Sequence, residues 1–139
     1  MLYPCVDNCV VQRSVSESGV HFWTLGGVLH RPDAPAVIRP DGTQEWWTMG
    51  SRNRTDAPAV ITPGHSQEWW VMGQRHRTSG PAVIWERRLI WDRSQIERSQ
   101  WWYLHNNNIT EQVEQWMQQR ELSWPWDACT QTEFELTWL

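Results

Sequence analysis

The side chains with most to offer chemically are histidine and arginine. Five histidines stand at positions 21, 30, 65, 76 and 105, and two of them, His30 and His76, are each followed directly by arginine. A His-Arg pair at a loop edge combines an imidazole with a forked cation, a pairing suited to phosphate or carboxylate. Asn53-Arg54 occupies the same position between the two. A residue pair copied at a fixed interval more often reflects a copied fold, so the expectation is a hydrogen-bonded loop anchor. The cysteines offer less. Cys5 and Cys9 lie four apart, Cys129 is remote, and no second pair completes a zinc spacing. An odd number of cysteines suggests free thiols in a reducing cytoplasm. Met1 to Val11 has neither a basic start nor the apolar run of a secretory signal.

Catalysis finds little support. A nucleophile requires a base and an orienting group within reach, and no cysteine has such a context. The carboxylates are spread evenly, so no acid-base pair stands out. The expectation is a protein that is not an enzyme and that has neither a cofactor nor a metal.

Arg52, Arg54, Arg75, Arg77, Arg87, Arg88, Arg93 and Arg98 form the one basic concentration, interleaved with indoles. Single-stranded nucleic acid is gripped by that combination. However, Glu45, Glu68, Glu86, Asp92 and Glu97 are mixed among them, and the formal net charge is −4. Nucleic acid is therefore a poor fit, and a protein partner, itself basic or chosen by shape, a better one. The expected picture is a mixed-charge sheet face with arginines stacked on tryptophans. All 12 basic residues are arginine, and 13 residues are tryptophan.

The elements that hold these residues follow from an internal repeat. Pro35-Ala36-Val37-Ile38 recurs as Pro58-Ala59-Val60-Ile61 and as Pro81-Ala82-Val83-Ile84, 23 residues apart each time. Gln44-Glu45-Trp46-Trp47 recurs as Gln67-Glu68-Trp69-Trp70, and Met49-Gly50 as Met72-Gly73. Further back, Gly19, Val20, Trp23 and Gly27 keep the register. The next Trp pair, Trp101-Trp102, arrives late, at 33 residues from Gln67 to Gln100 or 32 if the Trp pairs are matched. About ten residues are thus inserted near 85–99.

Each unit reads as a hairpin. Ala36 to Arg39 is a β-branched strand, Asp41-Gly42 a turn, and Thr43 to Met49 the return strand, after which Gly50 releases the chain into a loop. Proline at the start of a strand is well placed. Adjacent side chains of a strand point to opposite faces, so Trp46-Trp47, Trp69-Trp70 and Trp101-Trp102 are expected to build two tryptophan ladders. After the turn signal Asn106-Asn107-Asn108, Thr110 is a candidate N-cap for a helix to about Leu122, with Val113, Trp116 and Met117 on one side. Phe134 to Trp138 reads as a last edge strand. The fold class expected is mainly β, an antiparallel meander of stacked 23-residue hairpins with a C-terminal helix. It forms a single domain over 1–139: a degenerate first repeat (1–34), the Trp-rich repeats (35–106), and a helical cap and tail (107–139). No segment approaches a membrane span.

The unit W-x-x-G-x-x-H-R-x-x-G-P-A-V-I, carried here by Trp47 to Gly50, His76-Arg77 and Gly80-Pro81-Ala82, resembles the MORN-like hairpin repeats. It is most similar to the Trp-rich variant of bacteriophage and giant-virus proteins. The resemblance spans roughly Gly19 to Asn106; Ala34 and Ala57 stand where Gly80 keeps the glycine, and Asn53 where the motif has histidine. It implies an elongated antiparallel sheet used for protein contacts or self-association in proteins that are mostly not enzymes.

A repeat array that breaks its period does so on one face, often the binding face. The inserted segment is therefore the expected partner site, with Trp85, Arg87, Arg88, Leu89, Trp91 and Arg93 as its residues. The function expected is a protein-binding module. By the resemblance, it would be a small phage or mobile-element inhibitor of a bacterial host complex such as a CRISPR effector, acting in the host cytoplasm. A self-assembling structural repeat and a nucleic-acid-binding protein are the alternatives.

Overall fold

The computed structural model describes residues 10–139; Cys5 and Cys9 lie outside the described residues. Among the described residues the fold is mainly β, with every strand pair antiparallel, and two helices follow at the C-terminal end. The main sheet runs from β1 (Gln12–Val15) and β2 (His21–Leu25) through β4 (Val37–Ile38), β5 (Gln44–Glu45), β8 (Val60–Thr62) and β9 (Ser66–Glu68) to β12 (Val83–Arg88) and β13 (Ile96–Trp101). The short β3 (Val28–Leu29) pairs with β2 off this path.

Register sorts the sheet into two rows. One face carries Phe22, Val37, Glu45, Val60, Glu68, Val83 and Trp101 as successive partners. The other carries His21, Ile38, Gln44, Ile61, Gln67, Ile84 and Gln100. The hairpin turns sit where expected: Arg39 donates its N–H to Thr43, and Gly42 takes a φ of 87° in the Asp41-Gly42 turn.

The return strand is shorter than Thr43 to Met49, because each repeat bends at its tryptophan. Ala36, Ala59 and Ala82 donate to the carbonyls of Glu45, Glu68 and Trp101, whose Cα partners are already Val37, Val60 and Val83. Two residues, Ala-Val at the start of the outgoing strand, therefore oppose one, which is a β-bulge, and the return strand leaves the main sheet just past that point. The chain then forms a second, smaller hairpin: β6 (Trp47–Thr48) with β7 (Ser51–Arg52), β10 (Trp70–Val71) with β11 (Gln74–Arg75), and β14 (Tyr103–Leu104) with β15 (Asn107–Asn108). Gly50 thus closes a tight turn instead of releasing a loop. Met49-Gly50, Met72-Gly73 and His105-Asn106 each place two successive residues at positive φ, from 46° to 84°, as a two-residue primed turn requires. Neighbouring small hairpins are joined by Gly50 to Leu29, Gly73 to Arg52 and Asn106 to Arg75 hydrogen bonds, so they form a second row.

This row decides the repeat register past the insertion. Arg31, Arg54 and Arg77 donate their backbone N–H to Trp47, Trp70 and Tyr103. Tyr103 is therefore the counterpart of Trp70, Trp102 of Trp69, and Trp101 of Glu68. The 33-residue spacing holds, and matching the two Trp pairs is wrong.

Continuous tryptophan ladders do not form. Among the described residues the repeat indoles alternate with guanidinium groups. Arg31 lies 3.9 Å from the Trp23 ring centroid, Arg54 3.9 Å from Trp46 and Arg77 3.8 Å from Trp69. Each of these arginines also donates to the carbonyl of the strand-starting proline, Pro35, Pro58 or Pro81, at 3.1 Å. Burial lowers Arg77 to about 10, which leaves it charged at neutral pH. On the other side Arg52 sits between Trp47 and Trp70, and Arg75 between Trp70 and Tyr103. The expected arginine-on-tryptophan face is present, and it forms the packing of the repeat itself.

Glu45 is the ionic centre of this packing. It is 3% exposed and accepts from Arg39, Arg52 and the Trp47 indole. Burial pushes its pKa up, but the Arg39 hydrogen bond and the Arg52 charge outweigh that and hold it below the ordinary carboxylate range. His30 and His76 act as loop anchors. His30 Nδ1 accepts the Met49 N–H, Asn53 Oδ1 the Met72 N–H and His76 Nδ1 the His105 N–H. An asparagine substitutes because it presents the same acceptor.

The C-terminal cap differs from expectation in two places. Helix α1 (Thr110–Gln119) has Ile109 at its N-cap without a side-chain bond. The Thr110 hydroxyl instead accepts the Trp102 N–H, fastening the helix to the sheet. The segment Phe134 to Trp138 is not a strand; it belongs to α2 (Ala128–Trp138), which Asp127 caps by accepting from the Thr130 N–H at 2.7 Å. Phe134 and Trp138, four apart, lie on one side of that helix and pack on Trp116. Trp102, Val113, Trp116 and Phe134 form the buried aromatic core. Trp124 reaches back to the last repeat. Its indole donates to the Ser79 carbonyl, and Arg77 lies 5.4 Å from its ring centroid. It therefore covers the outer side of Arg77, whose other side packs on Trp69.

Candidate functional site

The inserted residues lengthen one hairpin. β12 and β13 pair over six positions, from Val83↔Trp101 to Arg88↔Ile96, whereas β9 follows β12 only as far as Trp85↔Ser66. Beyond Glu86 the hairpin projects from the sheet with no third strand among the described residues. Two ion pairs cross it, Arg87–Glu97 at 2.8 Å and Arg98–Glu86 at 2.6 Å. Leu89 continues the ladder by donating to Gln95, and the tip is closed by Asp92, which accepts the Ser94 N–H at 3.0 Å. The Ser94 hydroxyl and then its N–H, both donating to that carboxylate, keep Asp92 ionised to lower pH than usual.

Strand alternation separates the six expected site residues. Trp85, Arg87 and Leu89 share one face, Arg88 faces the other way, and Trp91 and Arg93 occupy the tip. They do not form one continuous surface. Apolar exposure peaks at the tip, with Ile90 at 92% and Trp91 at 80%. At the base, Trp85 is 56% exposed and meets Trp101 edge-on at 5.7 Å. These two indoles and Arg87 line an open hollow with His65, Ser66 and Ser99. Trp101 completes this hollow and is not among the six expected residues; at the 33-residue spacing it stands where the previous unit has Glu68, and the small hairpins select that spacing.

Arg87 is tied to Glu97 and so contributes a neutralised, planar edge more than a free charge. Arg88 and Arg93 carry no ion pair among the described residues. At the base the Trp85 and Trp101 indoles lie beside the Arg87–Glu97 pair, while the exposed Ile90 and Trp91 stand apart at the tip. The described residues contain no group of three or more His, Cys, Asp or Glu placed to hold a metal.

Compared with known proteins, the chain matches no family model, no curated protein and no solved structure. The resemblance to MORN-like repeats therefore rests on the motif residues alone. No helix among the described residues is long and apolar enough to cross a membrane.

Proposed function

We propose that this protein is a non-enzymatic protein-binding module whose contact surface is the projecting β12–β13 hairpin. The observation that carries this reading is the exposure of Ile90 and Trp91 at the tip of a hairpin stapled by two ion pairs. Large apolar side chains on an ordered projection are the usual anchors of a protein interface. A narrower version, supported by the resemblance alone, is a small phage or mobile-element inhibitor of a bacterial host complex such as a CRISPR effector.

The test is an affinity capture from bacterial lysate, with and without nuclease, comparing the native chain with a Trp91→Ala, Arg93→Ala variant. One stoichiometric, nuclease-resistant partner that is lost from the variant supports the reading. Equal recovery by both chains removes the tip as the site. A partner lost on nuclease treatment, or recovery of the bait alone, points instead to nucleic acid or to self-assembly.

A further inference from the structure

A second surface, distinct from the hairpin tip, lies along the outer edge of β13. This strand is the last in the sheet and pairs only with β12 among the described residues. Trp101 and Gln95 use their carbonyls toward the β12 side, accepting from Ala82 and Leu89. Antiparallel ladders alternate, so Ile96, Arg98 and Gln100 turn their main-chain N–H and C=O groups outward. At Trp102 the outward position is filled, because Ile109 donates to its carbonyl and the Thr110 hydroxyl accepts its N–H. The slot beside Gln100, Arg98 and Ile96 is the unfilled continuation of that edge.

A groove follows this slot. It is lined by the consecutive residues Arg98 to Trp102 and, from α1, by Thr110, Glu114 and Met117. Consecutive strand residues point to opposite faces, so a groove touching all of them runs along the strand edge. A second hollow continues it past Trp101 to Glu111 and Glu114. Trp102 carries a buried indole N–H with no acceptor among the described residues.

The charges on the groove are unequal. Arg98 is neutralised by Glu86 at 2.6 Å. Among the described residues Glu111 has only the Gln115 amide, at 3.4 Å, and neither Glu111 nor Glu114 is in an ion pair. Two carboxylates on the helix therefore face an unpaired strand edge on a chain of net charge −4.

We propose that this groove binds an extended, arginine- or lysine-bearing segment of a partner protein, added as one more strand to β13 and held over α1. The main chain of Ile96, Arg98 and Gln100 would supply the hydrogen bonds, and Glu111 and Glu114 the preference for a cationic strand.

The experiment uses the full chain and a short blocked peptide of alternating arginine and valine, followed by amide chemical shifts. A peptide with glutamate in place of arginine is the control. The expected result is a saturable shift centred on residues 96–102 and 110–114, absent with the acidic peptide. Glu111→Gln with Glu114→Gln should weaken binding by about tenfold, as two exposed ion pairs allow. Gln100→Pro removes an outward N–H without touching the β12 ladder and should also weaken it. Equal binding of the acidic peptide, or no saturable shift at millimolar peptide, overturns the proposal. So do shifts confined to the Ile90–Ser94 tip and dimerisation of the peptide-free chain through the same residues. The hairpin-tip reading is independent, since the Trp91→Ala, Arg93→Ala variant should bind the peptide normally.

Discussion

Gly80 should not tolerate alanine, although its counterparts 23 and 46 residues earlier, Ala57 and Ala34, are alanine already. A Cβ on Gly80 would lie 2.6, 2.8 and 2.9 Å from Nε1, Cε2 and Cζ2 of Trp124. Ordinary carbon contacts lie near 3.5 Å, so the indole must retreat by most of an ångström. It is not free to do so, because it donates to Ser79 and packs on Arg77. Overpacking of this kind costs about 1–3 kcal/mol, and a weakened indole hydrogen bond adds about 1 kcal/mol. The expected loss is about 2–4 kcal/mol, or roughly 7–14 °C in Tm for a chain of this length. Denaturant and thermal unfolding followed by tryptophan fluorescence would measure it. The backbone of Gly80 is not at positive φ, so in a Trp124→Ala background the same substitution should be neutral or stabilising by up to about 1 kcal/mol. Ala57→Gly should cost about 0.4–1 kcal/mol. A Gly80→Ala chain as stable as the native one would refute the account of Trp124 as the cap on the last repeat.

Glu45→Gln should destabilise by about 2 kcal/mol in chemical denaturation, a value discounted from that of a fully buried pair because Arg39 and Arg52 are partly exposed. Glu68→Gln should cost less, since its nearest arginine, Arg75, stands at 3.6 Å and the carboxylate is less buried; equal costs would contradict the assigned difference. Burial and then the charge of His105 lower the His76 pKa, so the folded state favours the neutral ring that accepts the His105 N–H. Its contribution is fully present above about pH 6.5, the unfolded value, and is lost as pH falls from there toward the lowered folded value. His76→Asn, copying Asn53, should keep the stability at pH 7 and flatten the Tm profile below about pH 6.5; an unchanged slope would show that His76 is not the group responsible. Trp91→Ala with Arg93→Ala should change Tm by less than about 0.5 kcal/mol equivalent, because neither side chain packs on the sheet; a large drop would mean that the tip is structural.

Much of this architecture is legible in the residues. The 23-residue interval, the Asp41-Gly42 turn and the strand-starting prolines locate the main hairpins without a structure, because a turn and a proline each restrict φ locally. The α1 helix is legible from Val113, Trp116 and Met117, which repeat at its period. The interruption after Ile84 likewise locates the projecting hairpin. Beyond these points the local signals mislead. Met49-Gly50 reads as a release from a strand, yet it is a hairpin turn, because both residues take positive φ and Trp47-Thr48 find their strand partner in Ser51-Arg52. Phe134-Glu135-Leu136-Thr137-Trp138 has strand-forming residues, but the cap at Asp127 and the contacts of Phe134 and Trp138 with Trp116 make it helical.

Sequence by itself determined the repeat, the mainly β class and the position of the exposed insertion, since each depends on interactions between residues near one another in the chain. Only the tertiary structure decided what the tryptophans touch, which face each of Trp85, Arg87 and Arg88 occupies, why Gly80 is glycine, and that β13 presents an open edge beside α1. Those outcomes depend on side chains brought together across 20 or more residues, such as Gly80 and Trp124, and on strand register, where a shift of one residue reverses every face.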